Sequence, residues 1–366
     1  MKPARHHETR DIRPLRLLLF GYLPPPVGGV RLLFQQLVHD LEPMPGIRLR
    51  VVTLTGKRRN RIARAWGLAR AGLIALWRIP GCDVVSLHPT NTALAVLGPW
   101  IFVCSRLFRK PMLVRKFGGN FTRVFSSWPV WLRWIMTRTV MRAEVWMFET
   151  RDLCETFSAH CPRVERYPNS RPLPIPPPAP AGGPPHRILF LGHMRRVKGI
   201  ADIYRLAATL PRDYTCHLYG TLGFDITRAE IAAWERSSPA RYIGALAPHE
   251  VPATLDRYHW LVLPSRPDLN RDVEGHPGVV IEAMARGLPV IATRCGGIGE
   301  IVDDSCGRLV EPGDVQGMAA AVAESAARPE TYRRLREGAR ARAARHDSRT
   351  WSRRFVEICR ELSDGR

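Results

Sequence analysis

The stretch Glu274-Gly-His-Pro-Gly-Val-Val-Ile-Glu282, followed by Ala283-Met-Ala-Arg-Gly-Leu-Pro-Val-Ile-Ala292, places two carboxylates eight residues apart around a Pro-Gly break. Pro277 and Gly278 interrupt regular structure and leave backbone N–H groups unpaired, and the apolar run after them predicts a helix that continues to Arg286. Free amides at a helix start, together with the helix dipole, attract anions such as a phosphate. The stretch therefore predicts a binding site as well as a fold element.

The two carboxylates have distinct predicted roles. Glu282, placed in the first turn of this helix, is predicted to face the group attached to the phosphate, and Glu274 in the loop to accept hydrogen bonds from a polyol. Two acceptors beside an anion site suit a nucleotide sugar. The structural alternative is that Glu282 only complements the helix dipole while Glu274 is solvated.

The flanking sequence predicts parallel α/β architecture. A buried strand, Trp260–Ser265, precedes the loop of Glu274, and a second one, Leu288–Thr293, follows the helix and leads to a glycine-rich turn. Ligands of such sheets bind at the carboxyl ends of the strands. The motif lies where the architecture places a ligand.

The segment from Leu261 to Glu311 resembles the donor-binding half of the retaining glycosyltransferases of family 4, whose signature Glu-Gly-x-x-x-x-x-x-Glu-Ala-Met-Ala is present here in full. Shorter family-like pieces occur in the expected order: Gly28-Gly29, Tyr167-Pro-Asn-Ser170, Leu191-Gly-His-Met-Arg-Arg-Val-Lys-Gly199, Tyr219-Gly220 and Tyr242-Ile-Gly244. The resemblance implies the GT-B fold, in which two Rossmann-like, doubly wound parallel-sheet domains face each other across a cleft.

The same resemblance divides the chain into four parts. Residues 1–170 are expected to form an N-terminal acceptor-binding domain and residues 186–350 a C-terminal domain that binds the nucleotide sugar. Between them the proline-rich residues 171–185 predict a semi-rigid linker. Residues 351–366 are expected to form a helix that crosses back toward the first domain.

Lys198 is the second predicted anchor of the donor. It follows the strand Arg187–Gly192 in a turn that opens a helix, where a cation can neutralise a departing diphosphate. The chain has five Lys against fifty Arg, and Lys198 is the only Lys after residue 116. In the family, an Arg directly after the glycine shares this role; here that position is His193, so Arg195 or Arg196 is a candidate substitute. A solvated basic turn is the alternative.

The resemblance also assigns the remaining site residues. Glu282 is expected to bind the ribose hydroxyls, and Glu274, with the amides of Gly278 and Val279, the sugar. The loop of Gly28 and Gly29 is expected to approach the donor from the other domain; a plain glycine turn is the alternative. Candidate residues on the acceptor side are His88 and Asn120, although a lone histidine is more often structural. No metal or cofactor is expected.

Length and composition indicate how many cores the chain can form and where the protein is located. At 366 residues with 45% hydrophobic residues, the chain can bury two cores. Eight cysteines lack CxxC or zinc-like spacing, which indicates reduced thiols and a cytoplasmic location. We expect neither a signal peptide nor a transmembrane helix, because the apolar run after Arg16 is short and ends at prolines.

The positive charge is concentrated in the first half. Residues 1–180 contain 28 Lys and Arg against 10 Asp and Glu, whereas residues 181–366 contain 27 against 23. Both an anionic membrane surface and nucleic acid attract such charge. Tryptophans interspersed with arginines in the segments 58–78 and 124–140 favour the membrane, since interfacial helices have this composition. Packing of these faces on the protein's own sheet is the alternative.

We therefore interpret the chain as a metal-independent, retaining glycosyltransferase. It is expected to move a sugar from a nucleotide-sugar donor to a lipid-linked or cell-envelope saccharide, as a peripheral protein on the inner face of the cytoplasmic membrane. The first alternative is a non-catalytic nucleotide-sugar-binding or scaffold protein of the same fold. It is suggested by His193, where the family has Arg, and by the absence of the family's His-Gly pair. A nucleic-acid binder comes third, because only the basic charge supports it.

Overall fold

The computed structural model describes residues 13–25, 28–54, 61–179, 181–267 and 274–365, without the side chains of residues 61–65 and 68. Its strands form two six-stranded sheets. The strands of the first sheet are β1 Leu15–Gly21, β2 Ile47–Thr53, β3 Val84–Leu87, β4 Met112–Lys116, β5 Val145–Phe148 and β6 Val164–Arg166. Those of the second are β7 Arg187–Leu191, β8 Thr215–Tyr219, β9 Arg241–Gly244, β10 Trp260–Leu263, β11 Val290–Thr293 and β12 Gly307–Val310.

In each sheet, at least one helix lies between strands that are consecutive along the chain. The first six are α1 Gly29–Leu41, α2 Arg61–Arg78, α3 Asn91–Leu107, α4 Phe121–Ser127, α5 Val130–Arg138 and α6 Arg151–Ser158. The others are α7 Ile200–Thr209, α8 Arg228–Arg236, α9 Val251–Leu255, α10 Gly278–Ala285, α11 Ile298–Ile301, α12 Val315–Ala327, α13 Pro329–Ala344 and α14 Ser348–Asp364.

The first sheet has the strand order β2-β1-β3-β4-β5-β6. Strand β1 pairs in parallel with β2 and β3, so that Leu17 lies opposite both Leu49 and Val84. Residues 17–20 of β1 are buried almost completely, because helices cover both faces of a parallel sheet and leave no wet side. This is why residues 17–20 form an unbroken apolar run.

The second sheet has the order β12-β11-β10-β7-β8-β9, and all of its strand pairs are parallel. Numbered along the chain from β7, this is the doubly wound order in which the connections reverse direction between the first and fourth strands. That reversal falls between β7 and β10, where Leu189 lies opposite Leu261. The two doubly wound parallel sheets predicted from the sequence are confirmed.

Two compact units divide the chain differently from the predicted domains. One unit comprises 1–115, 134–146 and 352–366, and the other 116–133 and 147–351. The boundary predicted at residue 170 is therefore displaced, because the loops after β4 and β5 pack on the glycine-rich loops of the second unit. Gly119 and Glu149, which the sequence placed in the first domain, both contact the loop of residues 274–276.

The proline-rich segment is fixed to the second unit. Arg171 forms a β-bridge with Asp347, with Arg171 N donating to His346 O at 2.9 Å. Farther along, Arg340 donates to the carbonyl of Pro178, and the indole N–H of Trp260 donates to the carbonyl of Pro185. The predicted linker thus begins as part of this unit's structure.

The described residues contain neither a disulfide nor a helix that could span a membrane. All eight cysteines are free thiols, and seven of them are buried. Burial raises the pKa of the Cys216 and Cys161 thiols to about 12. No helix within the described ranges combines the length and apolarity needed to span a bilayer.

Candidate functional site

The predicted site lies at the carboxyl ends of β7 and β10, where the second sheet reverses its strand order. A short 3-10 turn, Arg196–Lys198, follows β7 and ends at Gly199, whose φ is +68°. A Cβ on Gly199 would lie 2.0 Å from the carbonyl oxygen of Pro264, just after β10. Only glycine fits this position, and the contact holds Lys198 beside the end of β10.

Lys198 and Glu274 meet at this edge. The Lys198 ammonium pairs with Oε1 of Glu274, and the Ser265 hydroxyl donates to the same oxygen at 3.0 Å. Both ionised side chains are mostly withdrawn from solvent, with 21% and 17% of their surface exposed. The two residues that the sequence predicted as independent anchors, 76 positions apart, therefore form one charged pair.

Glycines hold the backbone of Glu274 in place. Gly297 N donates to the Glu274 carbonyl at 2.9 Å, and a Cβ on Gly296 would lie 2.2 Å from the same oxygen. Gly296 has a φ of +54°, in the left-handed region that favours glycine. On another side, a Cβ on Gly119 would approach this oxygen to 2.6 Å. The predicted glycine turn after β11 thus serves to pack the loop of Glu274.

Helix α10 begins at Gly278 after the predicted Pro277 break. An arginine lies over this start: a Cβ on Gly278 would be 2.1 Å from Nη2 of Arg171. The Arg171 guanidinium pairs with Glu282, which lies in the second turn of α10. The prediction that Glu282 lies in the first turn is wrong, because the helix starts at Gly278 and its first turn contains no acid.

This arrangement suits a ligand that carries both a phosphate and hydroxyl groups. The first-turn amides of α10, the Arg171 guanidinium and the Lys198 ammonium are positive groups, each of which favours an anion. Glu274 and Glu282 add carboxylate oxygens that can accept hydrogen bonds from hydroxyls. Within the described ranges, no group of three or more His, Cys, Asp or Glu side chains is placed to hold a metal ion.

Comparison with known proteins matches this part of the chain to one family. The profile of the family described as glycosyl transferases group 1 matches residues 185–327, which hold Lys198, Ser265, Glu274 and α10. We call residues 185–327 the group 1 segment, after the profile that matches them. The Glu-x7-Glu motif of this group 1 segment is the feature on which the sequence resemblance depended.

Curated relatives match over a similar length. The amylovoran biosynthesis glycosyltransferase AmsK of Erwinia amylovora is 30% identical over 141 residues, which is 37% of this chain and 35% of AmsK. The putative colanic acid biosynthesis glycosyltransferase WcaL of Escherichia coli is 30% identical over 149 residues, or 39% of this chain and 37% of WcaL. The chain is thus matched to little more than a third of each relative's length.

Solved structures resemble the chain over nearly its full length. The structure of Anabaena Alr3699/HepE in complex with UDP superposes with a TM-score of 0.69 at 17% identity, covering 94% of this chain and 99% of that one. At such identity the likeness shows the fold alone. The fold is that of the GT-B glycosyltransferases, as the sequence predicted.

The other three predicted diphosphate-binding residues make contacts away from Glu274. His193 is exposed, and its Nδ1 lies 2.7 Å from the hydroxyl of Thr221. Arg195 lies over the ring of Phe224 and 3.5 Å from an oxygen of Asp225. The Arg196 guanidinium pairs with Glu230. In the structure these three residues contact the segment 221–230, and Lys198 alone of the predicted diphosphate cations contacts Glu274.

The predicted acceptor-side residues have different surroundings. His88 is fully buried in the first unit, where its Nε2 lies 2.9 Å from the Ser86 hydroxyl and its ring packs near Phe34 and Phe355. Burial lowers the pKa of His88 well below its usual range, with the charge of Arg115 acting in the same direction. These are the surroundings of a structural histidine, which was the alternative that the sequence left open.

Asn120 and the Gly28-Gly29 pair each lie where a helix begins. Asn120 precedes α4 in the second unit, one residue after the Gly119 that abuts the Glu274 carbonyl, so the structure brings Asn120 to the Glu274 loop. Gly28 and Gly29 begin α1 in the first unit, and a Cβ on either would meet no atom within 4 Å among the described residues. That open space is compatible with a ligand approaching the glycine loop.

Sequence reasoning missed three residues that the structure places at this site. Arg171 pairs with Glu282, Ser265 donates to Glu274, and Glu149 accepts from the backbone of His276. Ser265 ends the predicted strand before the motif, so its position was a usable signal. Arg171 was inconspicuous among fifty arginines and was assigned to the linker.

The left-handed glycine before α7 predicts a stability effect. We expect Gly199→Ala to lower the free energy of unfolding by at least about 2 kcal/mol, because it adds left-handed strain to a clash with the Pro264 carbonyl. Thermal melting should show a decrease of roughly 5 °C. Gly182→Ala is the matched control, since a Cβ there meets nothing within 4 Å. Equal melting temperatures for the two variants would contradict the geometry.

Proposed function

We propose that this protein is a glycosyltransferase that moves a sugar from a nucleotide-sugar donor to a saccharide acceptor. The observation that carries the proposal is the Lys198–Glu274 pair at the strand reversal of the group 1 segment. A cation at this edge can stabilise the diphosphate that leaves in such a reaction, and a carboxylate beside it can bind the sugar. We propose further that transfer proceeds with retention, as the Glu-x7-Glu resemblance implies, and without a metal.

A uridine diphosphate sugar is the donor class that we favour. Anabaena Alr3699/HepE, of similar fold, is described in complexes with UDP and with UDP-glucose. In this chain the helix start of α10, Arg171 and Lys198 supply the positive groups that a diphosphate requires. Glu282 is the candidate for the ribose, with Arg171 orienting its carboxylate.

The acceptor proposal is a lipid-linked or cell-envelope saccharide. AmsK and WcaL are described as acting in the biosynthesis of amylovoran and colanic acid. A lipid-linked acceptor would be presented at the cytoplasmic face of the membrane, so the proposal requires a surface on which the protein can dock. Exposed apolar side chains in the first unit support this part of the proposal.

Helices α2 and α3 of the first unit expose an apolar surface. The indole N–H of Trp100 in α3 donates to the carbonyl of Gly72 in α2 at 3.0 Å, which joins the two helices. Helix α2 packs inward through its small residues Ala71 and Ala75. The large apolar side chains point outward and form what we call the α2–α3 surface: Trp66, Leu73, Leu76, Trp77, Val96, Trp100, Val103 and Leu107.

The excess of positive charge favours an anionic partner for the α2–α3 surface. Between Glu42 and Glu144 the sequence has 18 Lys and Arg and a single carboxylate, Asp83, which pairs with Arg16. Tryptophans flanked by arginines, as in Arg78 over the ring of Trp77, are typical of proteins that bind the headgroup region of anionic membranes. We therefore propose an anionic bilayer, rather than nucleic acid, as the partner.

Vesicle binding tests the α2–α3 surface. We expect the protein to float with vesicles of phosphatidylcholine and phosphatidylglycerol, and much less with phosphatidylcholine alone or at high salt. Trp66→Ser/Trp77→Ser should lose about tenfold or more in partitioning, because burying such a side chain contributes roughly 1.5–3 kcal/mol. The matched control, Ile175→Ser/Ile243→Ser, removes exposed apolar side chains elsewhere. Equal partitioning of both double variants, or tight binding to duplex DNA alone, would contradict this surface.

The transferase proposal itself is tested by turnover. The purified protein would be incubated with isotopically labelled UDP-, GDP- and ADP-sugars and a lipid extract, and label in the organic phase and free nucleoside diphosphate would be measured. We expect one nucleotide class to support transfer, and NMR of the product to show the donor's anomeric configuration. Nucleotide binding without any transfer would favour the non-catalytic alternative.

A further inference from the structure

A buried glutamate lies behind the Glu274 loop. Glu149 is the first residue after β5, and it is 2% exposed. The next strand of the sheet, β4, ends at Lys116, which is 4% exposed. Both residues belong to the second compact unit, at the carboxyl ends of neighbouring strands. Burying two ionisable side chains this deeply costs free energy, which indicates that they have a structural or functional role.

The Glu149 carboxylate joins two loops of the site. Its Oε1 accepts from the backbone N–H of His276 at 3.2 Å, and the carboxylate also accepts from the backbone N–H of Gly118. His276 is two residues after Glu274, and Gly118 is two residues before Asn120. One side chain therefore holds the loop of Glu274 and the loop of Asn120 together.

The backbone of Gly275 packs tightly against Glu149. A Cβ on Gly275 would lie 1.4 Å from Oε1 of Glu149, so the loop backbone rests directly on the carboxylate. A Cβ on Gly297 would lie 2.9 Å from the ring of His276 and 2.8 Å from the methyl of Thr150. Glycines on both sides allow the loop to sit between Glu149 and the turn after β11. A displacement of Glu149 must move the Glu274 loop.

The groups around Glu149 support its role in joining the two loops. Burial raises the pKa of Glu149, whereas His276, the two backbone donors and the Lys116 ammonium oppose that rise. Burial in turn lowers the pKa of Lys116 to about 8, against the influence of Glu149. Oε2 of Glu149 has no hydrogen-bond partner among the described residues. The two amides thus require only one oxygen of the side chain, which a glutamine can also supply.

We propose that Glu149 is a positioning residue that fixes Glu274 in its reactive place by holding the amides of Gly118 and His276. This inference deepens the proposed transferase function and rests on it. Glu149 does not touch the donor in this account. It acts through the loop, so its loss should affect the chemical step more than the binding of nucleoside diphosphate, which depends on Lys198 and the start of α10.

Kinetics of four variants test the proposal. We expect Glu149→Ala to lower kcat by about 100-fold, the size of effect that misplacing a reacting group by about 1 Å produces, with a smaller change in donor KM. Glu149→Gln should restore most of kcat, because its amide oxygen can accept the same two bonds. Gly275→Ala should lower kcat like Glu149→Ala, since its Cβ takes the place of Oε1. Because removal of the carboxylate makes room for that Cβ, Glu149→Ala/Gly275→Ala should be no worse than either single variant.

Amide exchange separates this proposal from the transferase function. Exchange of the Gly118 and His276 amides should accelerate in Glu149→Ala and stay slow in Glu149→Gln, whether or not the protein transfers a sugar. The control Glu235→Ala removes a carboxylate that accepts the Tyr242 amide at 2.8 Å elsewhere in the same unit, and it should leave both readouts unchanged. If Glu149→Ala does not fold, Gly275→Ala and Glu149→Gln decide. A wild-type kcat and slow exchange in Glu149→Ala or Gly275→Ala, or a Glu149→Gln as impaired as Glu149→Ala, would overturn the proposal.

Discussion

We expect Glu274→Gln to lower kcat by about a thousandfold, the upper end of what removing one preorganised polar group at a reacting centre costs. The glutamine keeps the shape of the side chain and can still accept from the Ser265 hydroxyl, so the fold should be unaffected. It removes the negative charge that pairs with Lys198 and, in our account, holds the sugar. Kinetics with the preferred donor, beside a thermal melt of each variant, measures this.

The control for Glu274 is Glu311→Gln. Glu311 also belongs to the second unit, but its side chain is 73% exposed and pairs with Arg294. An exposed ion pair of this kind contributes little, so the variant should transfer at the wild-type rate. If Glu274→Gln were as active as Glu311→Gln, the assignment of Glu274 to the sugar would be wrong.

Lys198→Ala is expected to have the second largest effect, a decrease of about 100-fold in kcat/KM. The ammonium is the predicted diphosphate cation that contacts Glu274, and its removal leaves that carboxylate in a largely desolvated place without its partner. Lys198→Arg should recover part of the activity, because the charge is kept while the compact geometry of the ammonium is lost.

Arg333→Ala is the matched loss of a cation for Lys198. Arg333 pairs with Glu330 on the surface of α13, where both side chains are 67% exposed. We expect its kcat/KM to equal that of the wild type. A Lys198→Ala protein with similar kinetics would show that the leaving diphosphate is held elsewhere, with Arg171 as the first candidate.

The sequence was sufficient for the elements that bring Lys198 and Glu274 together. Apolar runs broken by Pro and Gly predicted β7, β10 and α10. Because ligands of parallel sheets bind at the carboxyl ends of the strands, the loops that follow β7 and β10 were predicted to lie at one edge of the sheet. Gly199 signalled the tight turn. These features depend on neighbours in the sequence, which is why the local pattern predicted them.

Contacts between distant segments could not be predicted in the same way. Arg171 reaches Glu282 across 111 positions, and Glu149 reaches His276 across 127. Such pairings depend on how the loops fold back, which no local pattern contains. The limits of the two compact units also depend on such contacts, because the loops after β4 and β5 pack on the 274–276 loop.

The sequence left two surroundings open for the segment 58–78. Its tryptophans and arginines favoured a membrane surface, with packing on the protein's own sheet as the alternative. In the structure Trp66, Leu73 and Trp77 are exposed, and the smaller Ala71 and Ala75 are buried. A helix with two apolar faces shows one stripe in the sequence when the inner face consists of alanine and glycine.

The most direct test of the central claim is whether the group 1 segment binds a nucleoside diphosphate through Lys198. Thermal melts of the wild type, Lys198→Ala and Arg333→Ala would be recorded with UDP, GDP, ADP and their sugars. A ligand at a hundred times its dissociation constant stabilises the folded state by about 2.7 kcal/mol, which is readily detected. Our account predicts a stabilising shift with UDP in the wild type and Arg333→Ala that is lost in Lys198→Ala. No shift with any nucleotide, or an equal shift in all three proteins, would contradict it.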